Sequence, residues 1–176
     1  MFITFMPKPT IGDWRSGAHI NFSLTSTAKS KNIFEGKNGK FSDAAYHAVG
    51  GLIKHGSEIT AVACSTVNSY NGLVPVVGGF EGGVHTWAPT QMAYGDNNRS
   101  CMLRLPQNRF CIENRAADMC MNPYLSLALT TAASIDGIKN KIDPGKPLNV
   151  NLYTLSPEEI KASKIKSLPR NLLEAI

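Results

Sequence analysis

The polar and apolar positions divide the chain into short strands and two kinds of helix. "GAHINFSL" alternates without a break. Ala18, Ile20, Phe22 and Leu24 fall on one side and His19, Asn21 and Ser23 on the other, as a strand with one wet face requires. "FITFM" (Phe2–Met6) reads as a further strand running into Pro7 and Pro9. "FEGKNGKF" carries a hairpin or loop signal at Asn38-Gly39. From Ser42, a predicted N-cap, the sets Ala44, Ala48, Leu52 and Ala45, Val49, Ile53 have helical spacing; Gly56 should end that helix and Ser57 start a second. "SCMLRLP" and "RFCIENR" read as two strands joined near Pro106-Gln107-Asn108. Asn122 and Pro123 open a helix from Tyr124 to about Asp136 that is apolar nearly all round, so burial is expected. Ser156-Pro157-Glu158-Glu159 is a capping-box pattern, and Pro169 to Ile176 is amphipathic. Between these elements, "NSYNGLVPVVGGFEGGVHTWAP" is a long glycine-rich loop of the sort that carries function or moves. The elements do not alternate as βαβ units. The expectation is one α+β domain with a largely antiparallel sheet and packed helices.

The segment "RFCIENRAAD" brings chemistry into this pattern. Period two puts Arg109, Cys111, Glu113 and Arg115 on one face and Phe110, Ile112 and Asn114 on the other. The preceding strand adds Arg104, and Arg99 lies just before it. If the wet face of the first strand joins the same sheet, a histidine, a glutamate and several arginines converge. His19 and Glu113 could hold a divalent cation, Mg²⁺ or Mn²⁺ in oxygen-rich company. The arginines could bind phosphate or carboxylate, and such a clamp suits phosphoryl transfer. The plainer alternative is a set of cross-strand ion pairs, each worth roughly 0.2–1 kcal/mol. Glu81, in the glycine-rich loop, could serve as a base on a moving flap. The glycines around it form no P-loop, because no Gly-Lys-Ser/Thr follows.

Composition narrows the field further. The chain has 176 residues, enough for one domain that buries about 70% of its unfolded surface. Hydrophobic residues make up 43% and charged residues 18%, a globular balance. The net charge of +5 would suit nucleic acid, an anionic membrane or phosphorylated small molecules. The lysines are scattered on solvated faces, and no RNA-binding motif or zinc-finger spacing occurs, so a nucleic-acid partner is not expected. The N-terminus does not read as a signal peptide, and no run of eighteen apolar residues suggests a membrane span; a cytoplasmic location is expected. Cys64, Cys101, Cys111 and Cys120 form no C-x-x-C pair and sit in apolar surroundings, so all four are expected as buried thiols.

In order along the chain, "TFMPKP", "SGAHINFSL", "TVNSYNGLVP", "YGDNNRSCMLRLP", "IENRAAD", "NPYLSLAL" and "DGIKNKIDPGKPLNVNLYTLSPEE" resemble the C-terminal half of the catalytic domain of glutamine synthetase. "GAHINFSL" looks closest to the branch that includes γ-glutamylmethylamide synthetases. The resemblance implies ATP-dependent amide formation. The γ-phosphate of ATP passes to the side-chain carboxylate of glutamate, and ammonia or a small amine then displaces phosphate. It implies Mg²⁺ or Mn²⁺ as cofactor and a ring-like homo-oligomer with sites at subunit boundaries. By the same resemblance, His19 and Glu113 are metal ligands, and Gly17 and Arg115 hold glutamate. Asn21 and Ser23 lie at the nucleotide. Arg99 and Arg104 meet phosphate, with Arg99 catalytic. Glu81 is the flap glutamate, although the family's spacing is here stretched to "VPVVGGFE".

Four departures stand out. Asn71 and Gly72 replace a Lys-Arg pair, which removes an arginine for the substrate carboxylate. Cys111 replaces an arginine, for which Arg109 can substitute on the same face near ATP. Trp14 replaces a polar residue. The family's β-rich N-terminal domain and the first part of its catalytic domain, with further metal-ligating glutamates, have no counterpart in residues 1–176. The expectation is a partial catalytic domain without ligase activity alone. Two other functions compete: a γ-glutamyl-amide ligase using methylamine or another amine, and a non-catalytic assembly module.

Overall fold

The computed structural model describes residues 1, 3–10, 14–73 and 88–176. Its strands are β1 (Ile20–Phe22), β2 (Thr25–Ser26), β3 (Lys31–Asn32), β4 (Tyr94–Asp96), β5 (Leu103–Leu105) and β6 (Ile112–Asn114). Its helices are α1 (Asp43–Lys54), α2 (Gly56–Ala63), α3 (Val67–Tyr70), α4 (Pro123–Asn140), α5 (Pro157–Ala162) and α6 (Leu172–Ala175). The fold is α+β. Four strands form one sheet in the order β1-β6-β5-β4, and β2 and β3 make a separate antiparallel pair. β1/β6 and β6/β5 are antiparallel while β5/β4 is parallel, so the sheet is largely antiparallel as expected.

Register explains how one sheet serves both core and site. Glu113 lies opposite Asn21 on one neighbour and opposite Arg104 on the other. The alternate row holds Ile20, Ile112, Leu103 and Leu105, all buried. These pack with Phe34, with Val49 and Leu52 of α1 and with Ile59 of α2 in one continuous cluster. Burial of each such side chain stabilises the fold by roughly 1.5–3 kcal/mol. β1 keeps the alternation of its sequence: Ile20 is buried while His19, Asn21 and Ser23 are exposed.

Local signals fix the element ends. The Ser42 hydroxyl accepts from Ala45 N at 3.2 Å, and Asn122 accepts from Tyr124 N at 3.0 Å and Leu125 N at 3.2 Å. Each supplies an acceptor to N–H groups that a helix start otherwise leaves unbonded. Ser156 and Glu159 form the expected capping box at α5. Asn38 and Gly39 both take positive φ, 55° and 69°, within a tight turn closed by Gly36 N to Lys40 O at 2.9 Å. That turn chemistry is what Asn-Gly supplies. The second helix starts at Gly56, one residue before the predicted Ser57.

Three expectations are corrected. Residues 3–6 form no strand; Ile3 and Phe5 are 76% and 63% exposed. A strand needs a neighbour to bond its backbone, and none of the described strands pairs with this segment. α4 is not buried all round. It buries Ser126, Thr130, Ala133, Ser134 and Gly137, and exposes Tyr124, Leu125, Leu127 and Ile135. The reason is the close approach of α1. A Cβ on Gly51 would collide with the Ala133 carbonyl, and one on Gly137 with the His47 carbonyl. Only a face of small residues can meet α1 at that distance, so side-chain size rather than hydropathy sets the rotation of α4. Finally, Cys120 is exposed, whereas Cys64, Cys101 and Cys111 are buried. Among the described residues no helix is long and apolar enough to cross a membrane.

Candidate functional site

Glu113 is the centre of the charged face. It is only 4% exposed, and its two oxygens are shared by three partners. Oε1 lies 3.0 Å from His19 Nδ1 and accepts from Arg115 Nη1 at 3.1 Å. Oε2 accepts from Arg104 Nη1 at 2.6 Å. Burial pushes the carboxyl up; hydrogen bonds from His19 and Arg104, and the charges of Arg115 and Arg104, outweigh it and hold it down at about 2. The group is a carboxylate throughout the neutral range. The pairing follows from the antiparallel register, which sets Arg104 beside Glu113 across the β5/β6 ladder. β1 then brings in His19 from the other side.

Each cation around Glu113 is held a second time. Arg104 donates from Nε and Nη2 to Asn97 Oδ1. Asn97 itself sits at positive φ, 55°, in the turn after β4. Arg115 donates from Nε to the Arg99 carbonyl at 3.0 Å, and its Nη1 lies 3.4 Å from His19 Nδ1. Burial lowers the Arg115 guanidinium, and the charge of Glu113 opposes the shift. Nδ1 is the ring nitrogen that faces Glu113, so a cation shared by His19 and Glu113 would take the place of that contact.

The outer part of the face is more open. Arg109 reaches back across the sheet: Nη2 donates to Asn21 Oδ1 at 2.8 Å, and Nε donates to Cys111 Sγ at 3.2 Å. Cys111 therefore lies on the site face, as period two predicts, with Arg109 beside it. Ser23 is exposed just beyond β1. Gly17 makes an antiparallel bridge with Asp118, which seats the start of β1 against the exit of β6. Arg99 is exposed and lines a pocket of about 400 Å³ with Asn97, Asn98, Gln107 and Asn151. Asn98 holds that wall together by donating to the carbonyls of Leu148 at 2.6 Å and Val150 at 2.8 Å. The segment "LNVN" is thereby docked beside "DNNRS".

The structure thus gathers His19, Asn21, Arg104, Arg109, Glu113 and Arg115 on one face, with Gly17 and Ser23 at the two ends of the β1 segment. Arg99 joins through its carbonyl, while its side chain faces the neighbouring pocket. Glu81 lies outside the described residues. Sequence reasoning missed Asn97, whose signal was an Asn-Asn pair in a turn. As a metal site the donor set is partial. One imidazole and one carboxylate suit Mg²⁺ or Mn²⁺, but among the described residues no group of three His, Cys, Asp or Glu side chains could enclose an ion. Both Glu113 oxygens are also engaged, so a bound cation would compete with an arginine.

Comparison with known proteins bears on what such a face does. The family model described as "Glutamine synthetase, catalytic domain" matches residues 1–176. A glutamate–methylamine ligase from Methyloversatilis universalis is 43% identical over 100% of this chain and 39% of its own length. A glutamine synthetase from Methanosarcina mazei is 44% identical over 99% of this chain and 38% of its own length. A solved GmaS–ADP complex superposes with a TM-score of 0.84 at 38% identity, over 98% of this chain and 38% of the other. The chain therefore spans about two fifths of the length of the relatives it matches.

Proposed function

The chain belongs to the glutamine synthetase family, and from that premise we propose that it is the part of an ATP-dependent glutamate-amidating ligase that grips the nucleotide phosphates, one metal position and glutamate. In the first step an oxygen of the glutamate γ-carboxylate bonds to the γ-phosphorus of ATP and the bond to ADP breaks. In the second, the nitrogen of ammonia bonds to the acyl carbon, phosphate leaves with its electron pair, and the nitrogen loses a proton. A divalent cation, when bound, supplies positive charge at the phosphate oxygens. His19 and Glu113 are the residues that would hold it.

The remaining roles belong to the chain's own side chains. Arg104 and Arg109 offer guanidinium groups to phosphate, and Arg99 stabilises the transferring group from the pocket rim. Arg115 and Gly17 border the glutamate position; Asn21 and Ser23 border the nucleotide. Glu81 is assigned to a flap that shields the acyl phosphate from water, an assignment that rests on sequence alone. The convergence of His19, Arg104 and Arg115 on the buried Glu113 supports this reading most. A surface ion-pair network does not need a carboxylate held at about 2 by three donors in the interior.

With His19 and Glu113 as the only such ligands among the described residues, the domain reading is a partial catalytic domain, and residues 1–176 alone should form no γ-glutamyl amide. Calorimetric titration of the chain with ADP and Mg²⁺ tests the grip separately from turnover. Saturable binding that Arg104→Ala weakens supports the reading, and an absence of nucleotide binding contradicts it.

A second reading changes the amine. The likeness to a glutamate–methylamine ligase, together with Asn71 and Gly72, supports methylamine or a related amine in place of ammonia. Joining the chain to the missing portion of a relative and assaying the two amines side by side separates the readings; equal rates would remove the distinction. The family context further suggests a homo-oligomer and a cytoplasmic setting.

A further inference from the structure

Several lysines that lie far apart in the sequence meet at one place. A cavity of about 390 Å³ opens away from the charged face and shares no lining residue with it. Residues 92–94 and the end of α1 border it, with residues 144–148 on one side and residues 163–166 on the other. Both walls are bonded to the same stretch of chain. Leu148 N donates to Tyr94 O at 2.8 Å, and the Tyr94 hydroxyl donates to Gly145 O at 2.9 Å. On the other side Met92 N donates to Lys166 O at 2.8 Å, and Gln91 makes an antiparallel bridge with Ser167. Backbone hydrogen bonds thus set the shape of the cavity.

The lining combines two chemistries. Ile53, Leu148 and Ile165 are only partly buried and leave apolar surface to be covered, next to Met92. Lys146 comes from one wall and Lys164 and Lys166 from the other, all three exposed. Lys164 takes φ 56°, and this left-handed turn carries the chain out of α5. Lys164 and Lys166 then flank Ile165, which packs against the small cluster around Leu152.

The charges on this rim are unbalanced. Lys54, which also lines the cavity, is engaged by Asp136 at 3.0 Å. Lys146, Lys164 and Lys166 have no ion-pair partner among the described residues. Asp143, beside the wall, turns its Oδ1 to Gly145 N at 2.9 Å and pairs with none of them. Like charges gathered round one opening raise each other's energy, and an anion that bridges the walls relieves it.

We propose that this cavity binds a small phosphate monoester with an apolar body. Such a phosphate carries a charge of about −1.5 to −2 at neutral pH and three acceptor oxygens, a match for ammonium groups on two walls. Lysine binds phosphate as a point charge and needs no planar pairing. The body covers Ile53, Met92 and Ile165, and the cavity falls within the roughly 300–1,000 Å³ typical of small-molecule sites. The site is independent of the ligase reading, because none of the residues around Glu113 takes part in it.

The test is calorimetric titration of the 176-residue chain at low salt with naphthyl phosphate, naphthol and inorganic phosphate. Naphthyl phosphate should bind saturably and about tenfold or more tightly than either fragment, because charge and apolar contact act together. The double variant K164Q/K166Q should weaken it by about tenfold. Lys146→Gln, on the opposite wall, should weaken it by about threefold and serves if the double variant disturbs α5. Lys29→Gln, at an exposed lysine outside the cavity, should leave it unchanged. Naphthyl phosphate that binds no more tightly than naphthol or inorganic phosphate overturns the proposal, as does an affinity that survives both lysine changes. An affinity lost in Arg104→Ala and kept in the lysine variants places the probe on the charged face and also overturns it.

Discussion

The inner and outer parts of the charged face differ in a way that sorts scaffold from ligand contact. Around Glu113 every identified group is buried or braced: Arg104 is held by Asn97, Arg115 by the Arg99 carbonyl, and the carboxylate by three donors. Along the rim, Asn21, Ser23, Arg99 and Arg109 are exposed and have at most neighbours on their own face. The inner group stores a fixed arrangement of charge. The rim retains side chains that can turn toward a phosphate. The rim should therefore register in affinity, and the inner set in stability and, through Arg104, in affinity as well.

Removing the hub should have the largest effect. Glu113→Ala leaves the half-buried Arg104 and the buried Arg115 without their counter-charge, and loss of one member of such a buried pair costs about 3–5 kcal/mol. Urea denaturation should show it as a lower midpoint. The pH dependence comes next. The folded carboxyl is held at about 2, well below its ordinary value of 4.5, so the unfolded chain binds more protons between those values. The contribution is complete above about pH 4.5 and is lost as pH falls toward 2. Its size is on the order of 3 kcal/mol. Denaturation in chelator-treated buffer should show stability rising with pH across that window, and Glu113→Gln should flatten the rise.

Asn97→Ala comes third. It frees two N–H groups of Arg104 and should cost about 1–2 kcal/mol while leaving the Glu113 pair in place. The smallest stability effect is expected at the rim. Arg99→Ala should shift stability by less than about 0.5 kcal/mol, the usual range for an exposed substitution. Its ADP affinity should nevertheless fall by about tenfold, roughly 1.4 kcal/mol of binding. If Arg99→Ala lowered the denaturation midpoint as much as Asn97→Ala, the division between rim and hub would fail.

Much of this was legible in the chain. Strand alternation placed His19 and Asn21 on a wet face and Glu113 on the charged face, and the expected hairpin near Pro106–Asn108 put Arg104 on the neighbouring strand. Local chemistry also sufficed at Ser42, Asn122 and Ser156, where a side chain caps the backbone a few residues away. What the sequence concealed depends on distant partners. α4 read as buried because its residues are apolar, but the glycine contact with α1 turned its small face inward. Residues 3–6 had strand composition without a strand to pair with. Glu81 keeps its sequence-based assignment alone.

The central claim is that His19 and Glu113 form one cation position on a face that also grips nucleotide phosphate. Titration of the chain with Mn²⁺ in the presence of ADP, followed through the histidine ring signals by NMR, tests it most directly. The account predicts that the His19 signals broaden first and saturably, ahead of those of His47 and His55, and that Glu113→Gln removes this selectivity. Uniform broadening of the His19, His47 and His55 signals, or selective broadening of His19 that survives Glu113→Gln, would contradict it.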